Sequence, residues 1–102
     1  MLNVGVIGLG VMGSSHAQIY HRIPGVNVKA VCDSREDTLL SIASQYGADA
    51  YKDYHDMLKD KSIDAVSICM PDNLHVDAVL TAVKANKHIL LEKPLADTLA
   101  NA

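Results

Sequence analysis

Apolar residues follow two alternating spacings along the chain, and the alternation predicts strands and helices in turn. The strand pattern is a short run, rich in β-branched residues, that is apolar enough to be covered on both faces of a parallel sheet. Such runs occupy Leu2 to Ile7, Val26 to Cys32, Ile63 to Met70 and His88 to Leu91. We therefore predict four strands with helices between them.

The segments between the strands carry helical spacing. The first helix is predicted from Val11 to Ile23, where Pro24 and Gly25 end it. Two further helices repeat apolar residues at i, i+3, i+4 and i+7, and we expect each stripe to face the sheet. The stripes are Leu39, Ile42, Ala43 and Tyr46, with Gly47 as the helix terminator, and Val76, Val79, Leu80 and Val83.

A shorter helix is predicted to begin at Asp53, whose carboxylate can cap it. Asp56 lies in the favourable first turn, and Met57 and Leu58 are expected to face inward. Strands that alternate with helices form right-handed crossovers and a parallel sheet. The predicted fold class is α/β, a Rossmann-type doubly wound parallel sheet, in one domain over residues 1–102.

Composition and charge argue against two classes of partner. Hydrophobic residues make up 49% of the chain, yet no apolar run approaches the roughly 18 residues of a membrane helix. The net charge is -3 and the Lys and Arg residues are scattered, so we expect neither a membrane nor a nucleic acid as partner. The opening MLNVGVIG lacks the basic start of a secretory signal, which favours the cytoplasm.

The cysteines are predicted to be free thiols. Cys32 and Cys69 each close a predicted strand and have no CxxC or His-rich spacing, so we expect no metal site. If the first strand lies between the second and third, these cysteines are about 9.6 Å apart, beyond the roughly 7 Å Cα separation that a disulfide allows.

Gly8, Gly10 and Gly13 form a GxGxxG motif that directly follows a predicted buried strand and opens a helix. Gly8 permits a tight turn, Gly10 lets a pyrophosphate approach the backbone, and Gly13 lets the helix pack close to the strand. The N–H groups near Val11 and Met12 would then face the phosphates. The motif favours a dinucleotide; a structural turn or a ligand such as S-adenosylmethionine stays open, and Ser14 after the last glycine argues against an ATP-binding P-loop.

Asp33 and Arg35 bear on which dinucleotide is bound. Asp33 ends the second predicted strand twenty positions beyond Gly13. Its carboxylate can accept both ribose hydroxyls of adenosine and would repel a 2′-phosphate, which favours NAD over NADP. Arg35 leaves three alternatives: it stacks on adenine, it holds a 2′-phosphate, or it is a solvated residue of the next helix. The predicted cofactor is NAD, with NADP as the alternative.

The nicotinamide end of the site is predicted from two segments that follow strands. Ligands of open parallel sheets lie beyond the carboxyl ends of the strands, where PDNLH and EKP follow the third and fourth predicted strands. The residues expected to border this part of the cleft are Met70, Pro71, Asp72, Asn73, His75, Glu92 and Lys93.

Two histidines receive different interpretations. His75 either flanks the nicotinamide or fills the first turn of its helix, and the sequence favours neither. His16 is expected to be a hydrogen-bonded packing residue, because it shares a helical face with Met12, Ile19 and Ile23.

Three motifs together resemble a known family. GxGxxG near the N-terminus, PDNLH leading into a helix and EKP after the next strand look like the Gfo/Idh/MocA oxidoreductases, the group of glucose-fructose oxidoreductase and inositol dehydrogenase. The resemblance covers essentially the whole chain, and EKP is its most specific element. EKP alone would fit a solvated ion pair with a turn proline, but its combination with the other motifs favours the family.

The resemblance implies NAD(P)-dependent hydride exchange with a sugar, cyclitol or related alcohol. By that resemblance Lys93 is the active-site lysine, which hydrogen-bonds the hydroxyl that becomes a carbonyl and helps its proton leave. Glu92 would lie by the nicotinamide ribose, and the bond between Lys93 and Pro94 is often cis in the family.

Members of the family also carry a large substrate domain, which this sequence does not show. We therefore expect a truncated nucleotide-binding domain that binds cofactor, with a sugar or polyol substrate bound only when the missing domain is present. The alternative is a stand-alone NAD-binding sensor or interaction module without catalysis. The HILL strand is expected to be an exposed sheet edge through which a homodimer forms.

Overall fold

A parallel five-stranded sheet forms the centre of the molecule. The computed structural model describes residues 2–69 and 72–91, and of residues 11, 12, 72–75, 90 and 91 it describes the backbone alone. The strand order is β3-β2-β1-β4-β5. The strands are β1 (Leu2–Ile7), β2 (Val26–Cys32), β3 (Asp49–Tyr51), β4 (Ala65–Ile68) and β5 (His88–Leu91).

Helices cover both faces of this sheet. They are α1 (Val11–Arg22), α2 (Glu36–Tyr46), α3 (Tyr54–Leu58) and α4 (Asp72–Lys84). On one face Ala17 of α1 and Leu39 and Ala43 of α2 pack against Val6 and Val31. On the other face a second cluster unites α3 and α4 with the sheet, through Ile7, Met57, Leu58, Ile68, Ala78 and Ala82. The predicted doubly wound α/β fold is thus confirmed.

The strands end level with one another at their carboxyl edge. Ile7 of β1 lies opposite both Cys32 of β2 and Ile68 of β4, and Ile68 lies opposite Leu91 of β5. The chain runs outward from β1 in both directions, to β2 and β3 on one side and to β4 and β5 on the other. The crevice between β1 and β4 is therefore the topological switch point, where open α/β sheets bind their ligands.

Most predicted elements are confirmed within a residue or two. β1, β2 and β5 have the predicted bounds, α1 ends one residue early at Arg22, and Gly47 ends α2 with a φ of 64°. Asp53 caps α3 by accepting a hydrogen bond from the His55 N–H at 2.8 Å. β4 is shorter than predicted, and β3 was not predicted, because three residues beginning with aspartate carry no strand pattern.

The predicted inward face of α4 is wrong for three of its four residues, whereas Val79 packs against the core as predicted. Val76, Leu80 and Val83 are 69%, 54% and 56% exposed, whereas Ala78 and Ala82 are completely buried. The larger side chains of the sheet and of α3 already fill the space beneath α4, so the helix packs through its smallest residues. Periodicity located the helix correctly, but apart from Val79 hydrophobicity indicated the wrong stripe.

The face of α1 that was assigned to His16, Ile19 and Ile23 is also partly exposed. Ile19 and Ile23 are 54% and 42% exposed, while the fully buried residue is Ala17. The two cysteines are free thiols, as predicted. None of the described helices is long and apolar enough to cross a membrane.

Candidate functional site

The Gly-rich turn follows β1 directly at the switch point. Gly8 has a φ of 88°, a left-handed conformation that side chains disfavour, and its N–H donates to the Cys32 carbonyl at 2.8 Å. The turn is thereby joined to the end of β2 while it reverses toward α1. The conformational reason predicted for Gly8 is confirmed.

Gly13 lets α1 pass very close to this turn. A Cβ built at Gly13 would lie 1.7 Å from the Gly8 carbonyl oxygen and 2.8 Å from its carbon, both of which are backbone atoms. Since backbone cannot swing aside as a flexible side chain can, any other residue would push α1 away from the sheet. The packing role predicted for Gly13 is confirmed.

Gly10 differs from Gly8 and Gly13. Its φ is -70°, which any residue adopts, and an added Cβ would meet no atom within 4 Å. Neither strain nor crowding within the described part of the chain therefore requires glycine at this position. The space beside the backbone is open, as a ligand that approaches the main chain closely would need.

The start of α1 presents main-chain donors at the same place. Helix geometry leaves the N–H groups of residues 11, 12 and 13 without intrahelical acceptors, and the first turn contains no acidic residue. No side-chain hydrogen bond caps this helix end within the described residues. The 12-residue helix directs the positive end of its dipole toward the space at Gly10, so the arrangement fits the pyrophosphate of a dinucleotide.

Asp33 lies at the carboxyl end of β2, next to this turn, and is almost completely buried. Its Oδ2 accepts the Leu9 N–H at 2.7 Å, so the carboxylate holds the Gly-rich turn in place. No residue pattern predicts this structural role of Leu9, because its main-chain N–H makes the contact between two loops. The Ser14 hydroxyl makes a second hydrogen bond to Leu9 by donating to its carbonyl at 3.1 Å.

Arg35 also binds Asp33. Its Nε donates to Oδ1 at 3.0 Å, its Nη2 to Oδ2 at 2.9 Å, and its main-chain N–H to Oδ1 at 2.8 Å. The Arg35 side chain and the two main-chain donors lower the pKa of Asp33 to about 2, against the opposing effect of burial. Arg35 is thus the partner of Asp33, which none of its three predicted roles included.

The four donors occupy the roughly four lone-pair positions of the Asp33 carboxylate. A ribose hydroxyl can therefore bond to Asp33 only when the Arg35 guanidinium moves away. That movement is feasible because the Arg35 side chain is 59% exposed. The main-chain bonds from Leu9 and Arg35 hold the carboxylate in place while the side chain moves.

The remaining predicted site residues are less fully described. Met70, Pro71, Glu92 and Lys93 lie outside the described residues, as does the bond between Lys93 and Pro94. Asn73 and His75 lie in the first turn of α4, directly after β4, and their side chains are not described. Since β4 and β5 end level with β1, the segments that follow them begin at the edge where the Gly-rich turn lies.

A cluster of three polar side chains lies beside the turn and was not predicted as a unit. His16 Nδ1 is 2.7 Å from the buried Ser67 Oγ and 3.4 Å from Cys69 Sγ. The hydrogen bond expected for His16 is thereby confirmed. The sequence signal was a serine within an otherwise apolar strand, since a buried hydroxyl requires a partner. Among the described residues no group of three or more His, Cys, Asp or Glu is placed to hold a metal ion.

The comparisons with known proteins agree with this geometry. The chain is 40% identical over 101 residues to the myo-inositol 2-dehydrogenase of Thermotoga maritima, a match that covers 98% of this chain and 30% of the relative. It is also similar to scyllo-inositol dehydrogenase from Lactobacillus casei, solved with bound NAD(H) and scyllo-inositol, at 29% identity and a TM-score of 0.86. A 3-ketoreductase from Actinomadura kijaniata in complex with NADP matches at 29% identity and a TM-score of 0.85.

The two structural matches cover 92% of this chain and 28% and 29% of theirs. The chain thus spans about a third of the length of these relatives. Residues 2–102 match the model of an oxidoreductase family, described as an NAD-binding Rossmann fold. The protein accordingly belongs to the Gfo/Idh/MocA oxidoreductase family, and its described residues form that family's NAD-binding fold.

Proposed function

We propose that this chain binds NAD as the coenzyme domain of a dehydrogenase that oxidises an inositol, a sugar or a related alcohol. Residues 1–102 form part of that domain, and the greater length of the relatives supports a substrate-binding part outside these residues. Relatives that act on inositols support the substrate class. In this proposal the domain binds the coenzyme and presents its nicotinamide to a substrate that is held largely by another part of the protein.

The observation that carries the proposal is the open space at Gly10. An added Cβ meets no atom of the described residues within 4 Å there, the backbone conformation does not need glycine, and the start of α1 supplies N–H donors beside it. A pyrophosphate explains all three features, because its charge matches the helix dipole and its oxygens accept those donors. The coenzyme contacts we propose here are made by Gly8, Gly10, Val11, Met12 and Gly13.

Asp33 supports NAD over NADP. Its pKa of about 2 keeps the carboxylate charged at neutral pH, so it accepts ribose hydroxyls and repels a 2′-phosphate. On binding, Arg35 leaves Asp33 and stacks on the adenine, with its charge still near the carboxylate. NADP stays the alternative, since one similar structure contains it and the released Arg35 can reach a 2′-phosphate.

The reactive end of the coenzyme is assigned to residues that follow β4 and β5. We propose Met70, Pro71, Asn73, His75 and Glu92 as contacts of the nicotinamide half. Lys93 is the proposed catalytic residue, which hydrogen-bonds the substrate hydroxyl and assists its deprotonation. The level ends of β1, β4 and β5 support this assignment, because the segments after them begin at one edge.

The experiment compares Gly10→Val with the unaltered protein. The free energy of unfolding of this variant should lie within about 0.5 kcal/mol of the parent's, because the new side chain enters open space. NAD affinity, measured by titration calorimetry and by the rise in Tm, should fall at least about tenfold, since the side chain fills the position of the pyrophosphate. NADP is titrated in parallel, and weaker binding of NADP than of NAD is expected.

Gly13→Ala is the matched control. Its Cβ would clash with the Gly8 backbone, so it should lower Tm even without coenzyme. Gly10→Val protein that binds NAD as tightly as the parent would contradict the proposal.

Two further expectations belong to this proposal. We propose self-association through β5, which has β4 on one side and no described strand on the other. Location in the cytoplasm stays a prediction, because the fold does not report on it.

A further inference from the structure

Three side chains from two segments of the chain meet beside the Gly-rich turn. His16 lies in α1, Ser67 lies in β4, and Cys69 directly follows β4. His16 Nδ1 lies 2.7 Å from Ser67 Oγ and 3.4 Å from Cys69 Sγ, and the serine and cysteine are 3.6 Å apart. An imidazole and a hydroxyl thus both lie within hydrogen-bonding reach of the same sulfur.

This arrangement suits formation of a thiolate. The Cys69 thiol can pass its proton to His16 Nδ1, after which the nearby imidazolium charge stabilises the sulfur anion and the Ser67 hydroxyl, which accepts from Nδ1–H, can donate to the sulfur. Ser67 is completely buried and held to His16, which keeps the ring in place beside Cys69. Cys69 itself is half-buried, whereas Cys32 is buried.

The other cysteine has none of these features. Cys32 is 3% exposed, and its burial raises the pKa of its thiol to about 12. No described hydrogen bond joins it to a histidine. The chain therefore contains both a thiol suited to reaction and a matched inert one.

Cys69 also lies against the proposed coenzyme crevice. Its N–H donates to the Ile7 carbonyl at 2.8 Å, immediately before the Gly-rich turn. A Cβ placed on Gly13 would be 3.5 Å from the Cys69 Cβ, so the cysteine borders the start of α1. Atoms added to its sulfur would crowd the junction of β1, β4 and α1, beside the turn at which the proposed function places the pyrophosphate.

From this geometry we infer that Cys69 is a site of oxidative modification by peroxides, assisted by His16, and that its oxidation weakens coenzyme binding. The thiolate attacks one peroxide oxygen, an S–O bond forms and the O–O bond breaks. The sulfur is oxidised by two electrons to a sulfenic acid, and the hydroxide that leaves takes the proton from His16 to become water. The link to the coenzyme rests on the proposed function, whereas the reactivity of Cys69 does not.

The first test measures which thiol reacts. The folded protein is treated with hydrogen peroxide and dimedone, which traps sulfenic acid, and each cysteine is quantified by peptide mass spectrometry. Cys69 should be labelled at least about tenfold faster than Cys32. Equal rates, or faster labelling of Cys32, would overturn the inference.

The second test separates assistance by His16 from simple exposure of Cys69. His16→Gln keeps a hydrogen-bonding side chain beside Ser67 but cannot accept the thiol proton. Alkylation of Cys69 by iodoacetamide should be about tenfold slower in this variant at about pH 7, and the rates should converge above about pH 9, where the thiol ionises unaided. A constant ratio across pH would show that the histidine has a packing role alone and would refute the assistance.

The third test addresses coenzyme binding. Peroxide treatment should weaken NAD binding by the parent at least about fivefold and should leave Cys69→Ser, which keeps a similar shape, unaffected. Equal binding by oxidised and reduced parent would disprove the link to the coenzyme site. If neither the untreated parent nor Cys69→Ser binds NAD, the proposed function is refuted, and the link to the coenzyme with it. The labelling rates test the reactivity of the Cys69 thiol independently of that outcome.

Discussion

Single residues at the Gly-rich turn combine structural and binding roles, and Asp33 combines them most closely. The same carboxylate holds Leu9 in the turn, accepts Arg35, and stands where an adenosine ribose is expected. The main-chain N–H groups of Leu9 and Arg35 keep the Asp33 carboxylate in place, whereas the Arg35 guanidinium can move away. A residue of this kind affects folding stability even without coenzyme.

Asp33→Asn should therefore destabilise the coenzyme-free protein in a pH-dependent way. The folded-state pKa of Asp33 is about 2, below its ordinary value of 3.8, so its contribution is present above about pH 4 and is lost as pH falls through 2. That difference corresponds to about 2 kcal/mol of unfolding free energy. Urea unfolding at about pH 7 and about pH 3 should show the variant's deficit shrinking in acid.

Asp37→Asn serves as the control for Asp33→Asn. Asp37 is exposed and lies in the first turn of α2, without a described hydrogen bond from another side chain. We expect a deficit within about 0.5 kcal/mol at both pH values. The same Asp33→Asn deficit at both pH values would contradict the assigned role of the carboxylate.

At the scale of elements, α3 and α4 are joined by a polar contact on the surface as well as by the core. His55 bridges two carboxylates, with Nδ1 2.8 Å from Asp53 Oδ1 and Nε2 3.1 Å from Asp77 Oδ2. The Tyr54 hydroxyl also donates to Asp77. Hydrogen bonding to Asp53, and the charges of Asp53 and Asp77, raise the pKa of His55 in the folded protein.

The raised pKa of His55 predicts a pH dependence of thermal stability. The contribution is complete below the unfolded-state pKa of about 6.5 and disappears as pH rises through the higher folded-state value. Wild-type Tm should therefore fall between about pH 6 and pH 8 more than the Tm of His55→Asn. Scanning calorimetry across that range measures the difference.

His88→Asn provides the comparison for His55. His88 is exposed at the start of β5 and has no described carboxylate partner, so its variant should follow the wild-type Tm profile. If His55→Asn shows the full wild-type pH dependence, the bridge between α3 and α4 contributes nothing to stability.

At the scale of the whole molecule, strand order places the binding site. The strands after β1 are added first on one side of it, as β2 and β3, and then on the other side, as β4 and β5. The loops after β1 and β4 therefore diverge and leave a crevice between them. The parallel register then places the Gly-rich turn, Asp33 and Cys69 at one edge, although they are far apart in sequence. The same strand order makes β5 an edge of the described sheet.

We expect the edge strand β5 to mediate reversible dimer formation. Its main-chain groups on the side away from β4 can pair with a second copy of the chain. Sedimentation velocity over a hundredfold range of protein concentration should show a shift from monomer toward dimer. A single monomeric species throughout that range would contradict the expectation.

Much of the fold was predictable because its causes are local. Strands and helices have different hydrophobic periods, so β1, β2, β5, α1 and α2 could be located within about a residue. Gly8 and Gly13 were interpretable for the same reason, since a tight turn and a close helix contact involve neighbouring segments. β3 was missed because its three residues are too few to show a period.

The features that sequence analysis missed depend on contacts between distant segments. α4 offers two apolar stripes at helical spacing, and the packing of α3 and the sheet, not hydrophobicity, decided that the alanine stripe is buried. Likewise, the fourfold bonding of Asp33 and the meeting of His16, Ser67 and Cys69 follow from the strand register.

The sequence by itself determined the alternation of elements, the parallel sheet and the Gly-rich turn, because periodicity and glycine conformation act over a few residues. The tertiary structure alone decided which helix face is buried, which partner Asp33 holds and which thiol meets a histidine. Those outcomes depend on strand order and close packing, which bring together residues that no local pattern relates.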